Sequence, residues 1–175
     1  MNSAIQRLAD ALRTVPDFPK PGIQFIDITP ILQNGQLFRL VINLMLERYM
    51  KKGLDAIVGI DARGFIFGGA VANQLGIAFI PIRKKGKLPW QTLDKSYELE
   101  YGSATISIHK DAIKRGQKVV VIDDLLATGG TAAAASELVK ELGGDLLEMT
   151  FLVELEFLKG RDKLAGNNIH SIIQL

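Results

Sequence analysis

Apolar residues recur along the chain in two alternating rhythms. Near the N-terminus Ile5, Leu8, Ala9 and Leu12 fall at i, i+3, i+4 and i+7, which predicts an amphipathic helix over residues 2–13 capped by Asn2 or Ser3. VPDFPKPG (15–22) then places three prolines and a glycine within eight residues, so no helix continues through it. Leu37, Leu40, Val41 and Leu44 open a second helix that runs toward Gly53. DAIVGI (55–60) and GIAFIPI (76–82) are short, nearly continuous apolar runs, the pattern of buried strands. Between them GFIFGGAVANQL (64–75) keeps helical spacing through Phe67, Ala70, Val71 and Leu75, although Gly68 and Gly69 weaken it. Further strands are expected at SATISI (103–108), KVVVI (118–122), EMTFLVEL (148–155) and HSIIQL (170–175). A helix from Gly130 to about Leu142, with Ala135, Leu138 and Val139 on one face, is stopped by Gly143-Gly144.

Buried strands alternating with helices predict an α/β fold, a central parallel sheet flanked by helices on both faces. One stretch has neither rhythm. KKGKLPWQTLDKSYEL, from Lys84 to Leu99, reads as a long ordered loop, and such loops in compact domains are usually functional.

Composition narrows the classes. With 175 residues the chain is one domain, 47% hydrophobic and 23% charged, as in ordinary globular proteins. The absence of cysteine excludes a disulfide framework, a thiolate metal site and a cysteine nucleophile, and fits a reducing compartment. No apolar run approaches the ~18 residues of a membrane span, and MNSAIQRLAD lacks the form of a signal peptide, so a cytoplasmic location is expected. A net charge of +2, from 21 basic and 19 acidic residues, is too even to indicate nucleic acid. The basic residues do cluster locally, at Arg83, Lys84, Lys85 and Lys87. His109 and His170 have neither a paired nucleophile nor metal-ligand spacing and are read as surface or satisfied positions.

The chemistry concentrates in VVVIDDLLATGGT (119–131), where a strand leads into two adjacent aspartates and then a glycine-rich entry to a helix. In parallel sheets ligands sit beyond the carboxyl ends of strands, where loops enter the next helix. The first turn of a helix leaves backbone N–H groups without partners, and with the dipole they attract an anion. Gly129 and Gly130 permit close approach, and Thr128 and Thr131 add hydroxyls. Taken alone, this segment is also a tight turn with a threonine cap. The aspartates count against that reading, because neighbouring carboxylates repel and are costly to desolvate without donors. A sugar phosphate satisfies both halves: its phosphate on Ala127, Thr128, Gly129, Gly130 and Thr131, and its vicinal hydroxyls on Asp123 and Asp124.

This segment resembles the phosphoribosyl-diphosphate motif of the type I phosphoribosyltransferases over thirteen contiguous positions. PDFPKPG and FIDITP (within 16–30), GIDARGFIFG (59–68), IRKKGKLP (82–89), YELEYG (97–102) and LVEL with LKGRDKL (within 152–164) extend the resemblance, in order, to the adenine phosphoribosyltransferase family. It implies the type I fold over residues 1–175, with a small N-terminal hood (1–33) for base recognition and a mobile lid loop (84–101). The implied reaction joins adenine to 5-phosphoribosyl 1-diphosphate, giving AMP and diphosphate in purine salvage. By the same resemblance the diphosphate falls to the Asp61-Ala62-Arg63 turn, with a cis Asp61–Ala62 peptide, and to Arg83, Lys84 and Lys87.

Glu100 is implied as the acid/base near the purine N9, Tyr101 as the residue that covers the site, and Arg63 as a cation at the reacting centre. Gln24, Phe25 and Ile26 are implied to line the base. Here the chain departs from the family, which often carries Arg or Lys where Ile26 stands, although much of the family's base contact there is through main-chain atoms. Mg²⁺, bound mainly through the diphosphate, ribose hydroxyls and water, is the implied cofactor, and a homodimer the implied assembly. Two alternatives keep the fold: a transferase for another base, and a non-catalytic phosphoribosyl-diphosphate sensor that binds nucleic acid. The single basic cluster and the presence of Glu100 speak against the second.

Overall fold

The computed structural model describes residues 3–98 and 102–175. The N-terminal helix α1 (Ser3–Asp10) is followed by a two-stranded antiparallel ribbon, β1 (Arg13–Pro16) with β2 (Gln24–Asp27). Next come a short helix α2 (Thr29–Gln33) and the longer α3 (Gly35–Tyr49), whose first turn is capped by Asn34 accepting from the Gln36 and Leu37 amides. The body of the molecule is β3 (Ala56–Ile60), α4 (Gly64–Leu75), β4 (Ala78–Lys84), β5 (Thr92–Glu98), β6 (Ser103–His109), β7 (Lys118–Leu126), α5 (Gly130–Glu141), β8 (Asp145–Glu154) and β9 (Ile169–Gln174). Between β8 and β9 lie two 3₁₀ turns, Glu156–Leu158 and Gly160–Leu164.

Seven strands form one sheet in the order β5-β6-β4-β3-β7-β8-β9. From β4 to β9 all neighbours are parallel, while β6 pairs antiparallel with both β4 and β5. The parallel part is covered on both faces, and strand periodicity divides its side chains. Ile57, Val120, Ile122 and Leu152 join Val41, Met45, Phe67 and Val71 of α3 and α4 in one core. Val58, Val119, Val121 and Phe151 face the other way, onto Ala135, Leu138 and Val139 of α5. That two-sided burial is why β3 and the first half of β7 are continuous apolar runs.

Three sequence expectations are corrected. The segment 84–99 holds a strand: Thr92–Glu98 pairs with β6 along its whole length, from Thr92 opposite His109 to Glu98 opposite Ser103. Among the described residues of this segment, 85–91 remain loop. Strand β7 does not stop at Ile122 but continues to Leu126 against β8. Helix α1 ends at Asp10, and the two residues after it turn into β1.

Candidate active site

Strand β3 pairs with β7 only as far as Gly59 opposite Ile122, whereas β8 follows β7 to Leu126 opposite Glu154. Beyond Ile122, β7 is therefore flanked on one side only, and a crevice opens on the other. A cavity of about 290 Å³ fills it, lined by Asp61–Arg63, Lys84, Asp123, Asp124 and the 127–131 loop. Ile60, Ile82 and Ile106 form its apolar floor, and Tyr97 of β5 closes one side.

The loop has the geometry of an anion cradle. Helix α5 starts at Gly130, and its N-cap, Gly129, sits at φ 80°, a left-handed conformation that other residues rarely adopt. No side chain caps this end, so a threonine cap is excluded and the first amides of α5 are left for a ligand. A Cβ at Gly129 would strike the Gly160 carbonyl, and one at Gly160 would strike the Ala127 carbonyl. The 3₁₀ segment thus presses its bare backbone against the loop from behind.

Asp124 is buried, with its Oδ2 2.9 Å from Arg63 Nε but with no hydrogen bond to it. Asp123 Oδ1 accepts from the Asp124 amide at 2.9 Å. Burial pushes the Asp123 carboxyl well above the usual carboxylate range, and the adjacent Asp124 charge adds to that. Burial raises Asp124 as well, and Arg63 opposes it. Gly64 makes this packing possible, since a Cβ there would lie 2.7 Å from the Ile122 carbonyl and 2.9 Å from Asp123 Oδ1.

The Asp61–Ala62 peptide is cis, as the resemblance implies. Arg83 Nε donates to Asp61 Oδ2 at 3.1 Å and its Nη1 to the Lys87 carbonyl at 3.0 Å, so Arg83 ties the 61–63 turn to the 84–87 turn. Lys84 lines the cavity, whereas neither Arg83 nor Lys87 does. On β2, the Phe25 ring stands 5.8 Å from the Arg63 guanidinium. Ile26, on the opposite face of β2, packs against the helical core, and Gln24 is exposed. Glu100 and Tyr101 lie outside the described residues. Of the histidines, His170 is half-buried and pushed down by that burial, and His109 Nε2 is buried without a hydrogen-bond partner, so neither is a plain surface group.

Two contributors escaped the sequence reading. Tyr97 stands beside the loop and receives a hydrogen bond from Thr131 Oγ1 at 2.9 Å. Gly160 shapes the loop from behind. Both fall in blocks that carry the family resemblance, which was their only trace in the sequence.

The chain matches a phosphoribosyl transferase domain family over residues 27–163. It is 51% identical over 174 residues to adenine phosphoribosyltransferase of Methylacidiphilum infernorum (isolate V4), covering 99% of this chain and 97% of that one. The crystal structure of adenine phosphoribosyltransferase from Rhodothermus marinus DSM 4252 superposes with a TM-score of 0.94 at 50% identity, over 100% of both chains. That of the Saccharomyces cerevisiae enzyme, complexed with D-2,5-dideoxy-2,5-imino-altritol 1,6-bisphosphate and adenine, gives 0.92 at 45% identity over 98% of this chain and 99% of that one.

Proposed function

The chain belongs to the adenine phosphoribosyltransferases, and from that premise we propose how its site carries out the reaction. The enzyme joins adenine to 5-phosphoribosyl 1-diphosphate to give AMP and diphosphate, a step of purine salvage. The observation that carries the site reading is a single cavity in which an uncapped helix start adjoins two desolvated carboxylates.

The donor's 5′-phosphate lies on residues 127–131, where main-chain amides meet it. Its 2′- and 3′-hydroxyls donate to Asp123 and Asp124, relieving two carboxylates that burial penalises. The diphosphate lies toward Ala62, Arg63 and Lys84. Arginine offers paired N–H groups to phosphate oxygens there, and lysine a point charge. Adenine N9 attacks the anomeric carbon, the bond from that carbon to diphosphate oxygen breaks, and the N9 proton passes to Glu100. Negative charge grows on the leaving group, so cations placed against it favour the transition state over the ground state. Arg83 acts one step back, holding Asp61 and the two turns in register. Phe25 meets the base with its ring, and main-chain atoms of 24–26 read its edge. Because the Ile26 side chain turns into the core, its departure from the family's usual basic residue leaves that edge intact.

Among the described residues no group of three or more His, Asp or Glu side chains could hold a metal ion. The oxygen-only character of the acid pair fits a Mg²⁺ brought by the donor, which would sit beside Asp123 and Asp124 with most of its ligands from substrate and water. Such an ion would neutralise charge on the departing diphosphate. The 84–101 segment, whose described part includes β5, serves as lid and excludes water from the activated ribose.

Homodimeric assembly and a cytoplasmic location complete the reading. Ile66 of α4, 41% exposed close to the site, offers apolar surface to a second copy, and no described helix is long and apolar enough to cross a membrane. Steady-state rates with adenine, hypoxanthine, xanthine and a pyrimidine test the specificity. Adenine is expected to dominate kcat/KM, and turnover of hypoxanthine at an equal rate refutes the assignment.

A further inference from the structure

Strand β5 is fastened to α5 at two places on one of its faces, one in the second half of the helix and one in its first turn. Lys95 forms an ion pair with Glu137, and two residues later the Tyr97 hydroxyl accepts from Thr131 Oγ1 at 2.9 Å. The tyrosine ring packs on Gly130, where an added Cβ would lie 3.1 Å from its Cδ2. Glycine at that position lets the hairpin dock on the loop.

We infer that Tyr97 is a positioning residue for the donor's 5′-phosphate, acting through the Thr131 hydroxyl; this rests on the phosphate reading of residues 127–131. A threonine or tyrosine hydroxyl has one hydrogen to donate and lone pairs to accept with. As the pair stands, Thr131 directs its hydrogen at Tyr97 and has none for a ligand. A phosphate oxygen is a charged and therefore stronger acceptor than a phenol. When it arrives, Thr131 turns its hydrogen to the phosphate, and the Tyr97 hydroxyl becomes the donor to Thr131 Oγ1. The result is a relay, Tyr97 to Thr131 to phosphate, in which each bond polarises the next.

Phenylalanine keeps the ring that packs on Gly130 and removes the hydroxyl, which accepts from Thr131 in the free enzyme and is the terminal donor of the relay. The test is a cycle of Tyr97→Phe, Thr131→Ala and the double variant, with ribose 5-phosphate affinity read by titration calorimetry and with KM and kcat for the donor. Tyr97→Phe is expected to weaken ribose 5-phosphate and raise donor KM by roughly 3- to 10-fold, the range of one neutral hydrogen bond. Its kcat at saturating donor should stay within about twofold, because the phosphate is bound equally in ground and transition states. On the Thr131→Ala background the same change should cost less than about twofold, since no hydroxyl is left to relay through. Unchanged ribose 5-phosphate affinity in Tyr97→Phe, or an undiminished effect on the Thr131→Ala background, overturns the relay. Failure of the unaltered enzyme to turn over adenine would instead sink the proposed function.

Discussion

Gly160 lies some thirty residues beyond the loop it shapes, touches it through backbone alone, and is a sharp point at which to test the cradle. In Gly160→Ala the new methyl would overlap the Ala127 carbonyl oxygen and come within 3.1 Å of Leu126 Cδ1 and 3.2 Å of the Ala127 carbonyl carbon. Carbon atoms prefer about 3.5–4.0 Å, and relieving the overlap with the oxygen needs a shift of roughly 1 Å or more. The 3₁₀ segment cannot simply back away. Arg161, the next residue, is clamped to Glu154 by paired bonds of 2.6 and 2.7 Å. The loop must therefore yield, by a distance that in a pre-organised site costs about 100-fold in rate. Overpacking adds about 1–3 kcal/mol of instability, which for a chain of this size lowers Tm by roughly 2–12 °C. The predicted signature is a large fall in kcat/KM for the phosphoribosyl donor, a modest fall in Tm, and binding of free adenine close to wild type. Calorimetry with ribose 5-phosphate and with adenine separates the two subsites. A Gly160→Ala enzyme with wild-type donor kinetics would refute the claim that this contact sets the loop.

Removing a buried carboxylate should harm function and spare the fold. Asp124→Ala is expected to lower kcat/KM for the donor by roughly 10- to 150-fold, the range of a hydrogen bond to a charged group. Its Tm should hold or rise, because a desolvated charge beside Asp123 is gone and the half-exposed Arg63 keeps its water; a steep drop in Tm contradicts this. The acid pair also predicts a pH linkage. Both folded-state pKa values lie above the unfolded value, so the protonated pair favours the fold below ~pH 3.9, and that stability is lost as pH rises through the raised values. Sugar hydroxyls prefer ionised acceptors, so donor binding should release protons at any pH where the free pair still holds one. Calorimetry of ribose 5-phosphate binding in two buffers of different ionisation enthalpy measures the release, and comparison with Asp123→Asn removes the phosphate's own titration. Equal proton counts in both enzymes exclude the carboxylates as the source.

What could be read from sequence divides by whether a residue's environment is repeated along the chain or made by distant segments. Strands β3 and β7 sit between two helical layers, so burial on both faces imposes an unbroken apolar run that needs no further context. Strand β5 lies at the edge of the sheet, paired only with β6, and its inward face holds Leu93, Lys95 and Tyr97, with the lysine drawn to Glu137. One polar residue in three removes the alternation that marks a strand, and TLDKSYE reads as loop. The same division runs through the site. The acid pair and the glycine-rich loop stand contiguous in sequence, so their mismatch of repelling carboxylates beside an anion site was visible at once and pointed to a ligand bearing both groups.

Where β7 ends could not be seen, because it depends on β8 outlasting β3 as a partner. That unequal pairing opens the crevice, so the feature that makes the site a cavity resides in the registers of three strands and in no single segment. Gly160 and Tyr97 act on the loop from 30 or more residues away, and their effect is steric or hydroxyl-mediated, with no charge or metal-ligand pattern to announce it. Contacts of that kind escape a reading of local pattern. The loop's sequence defines which ligand group it can hold, and its neighbours define where that group is held.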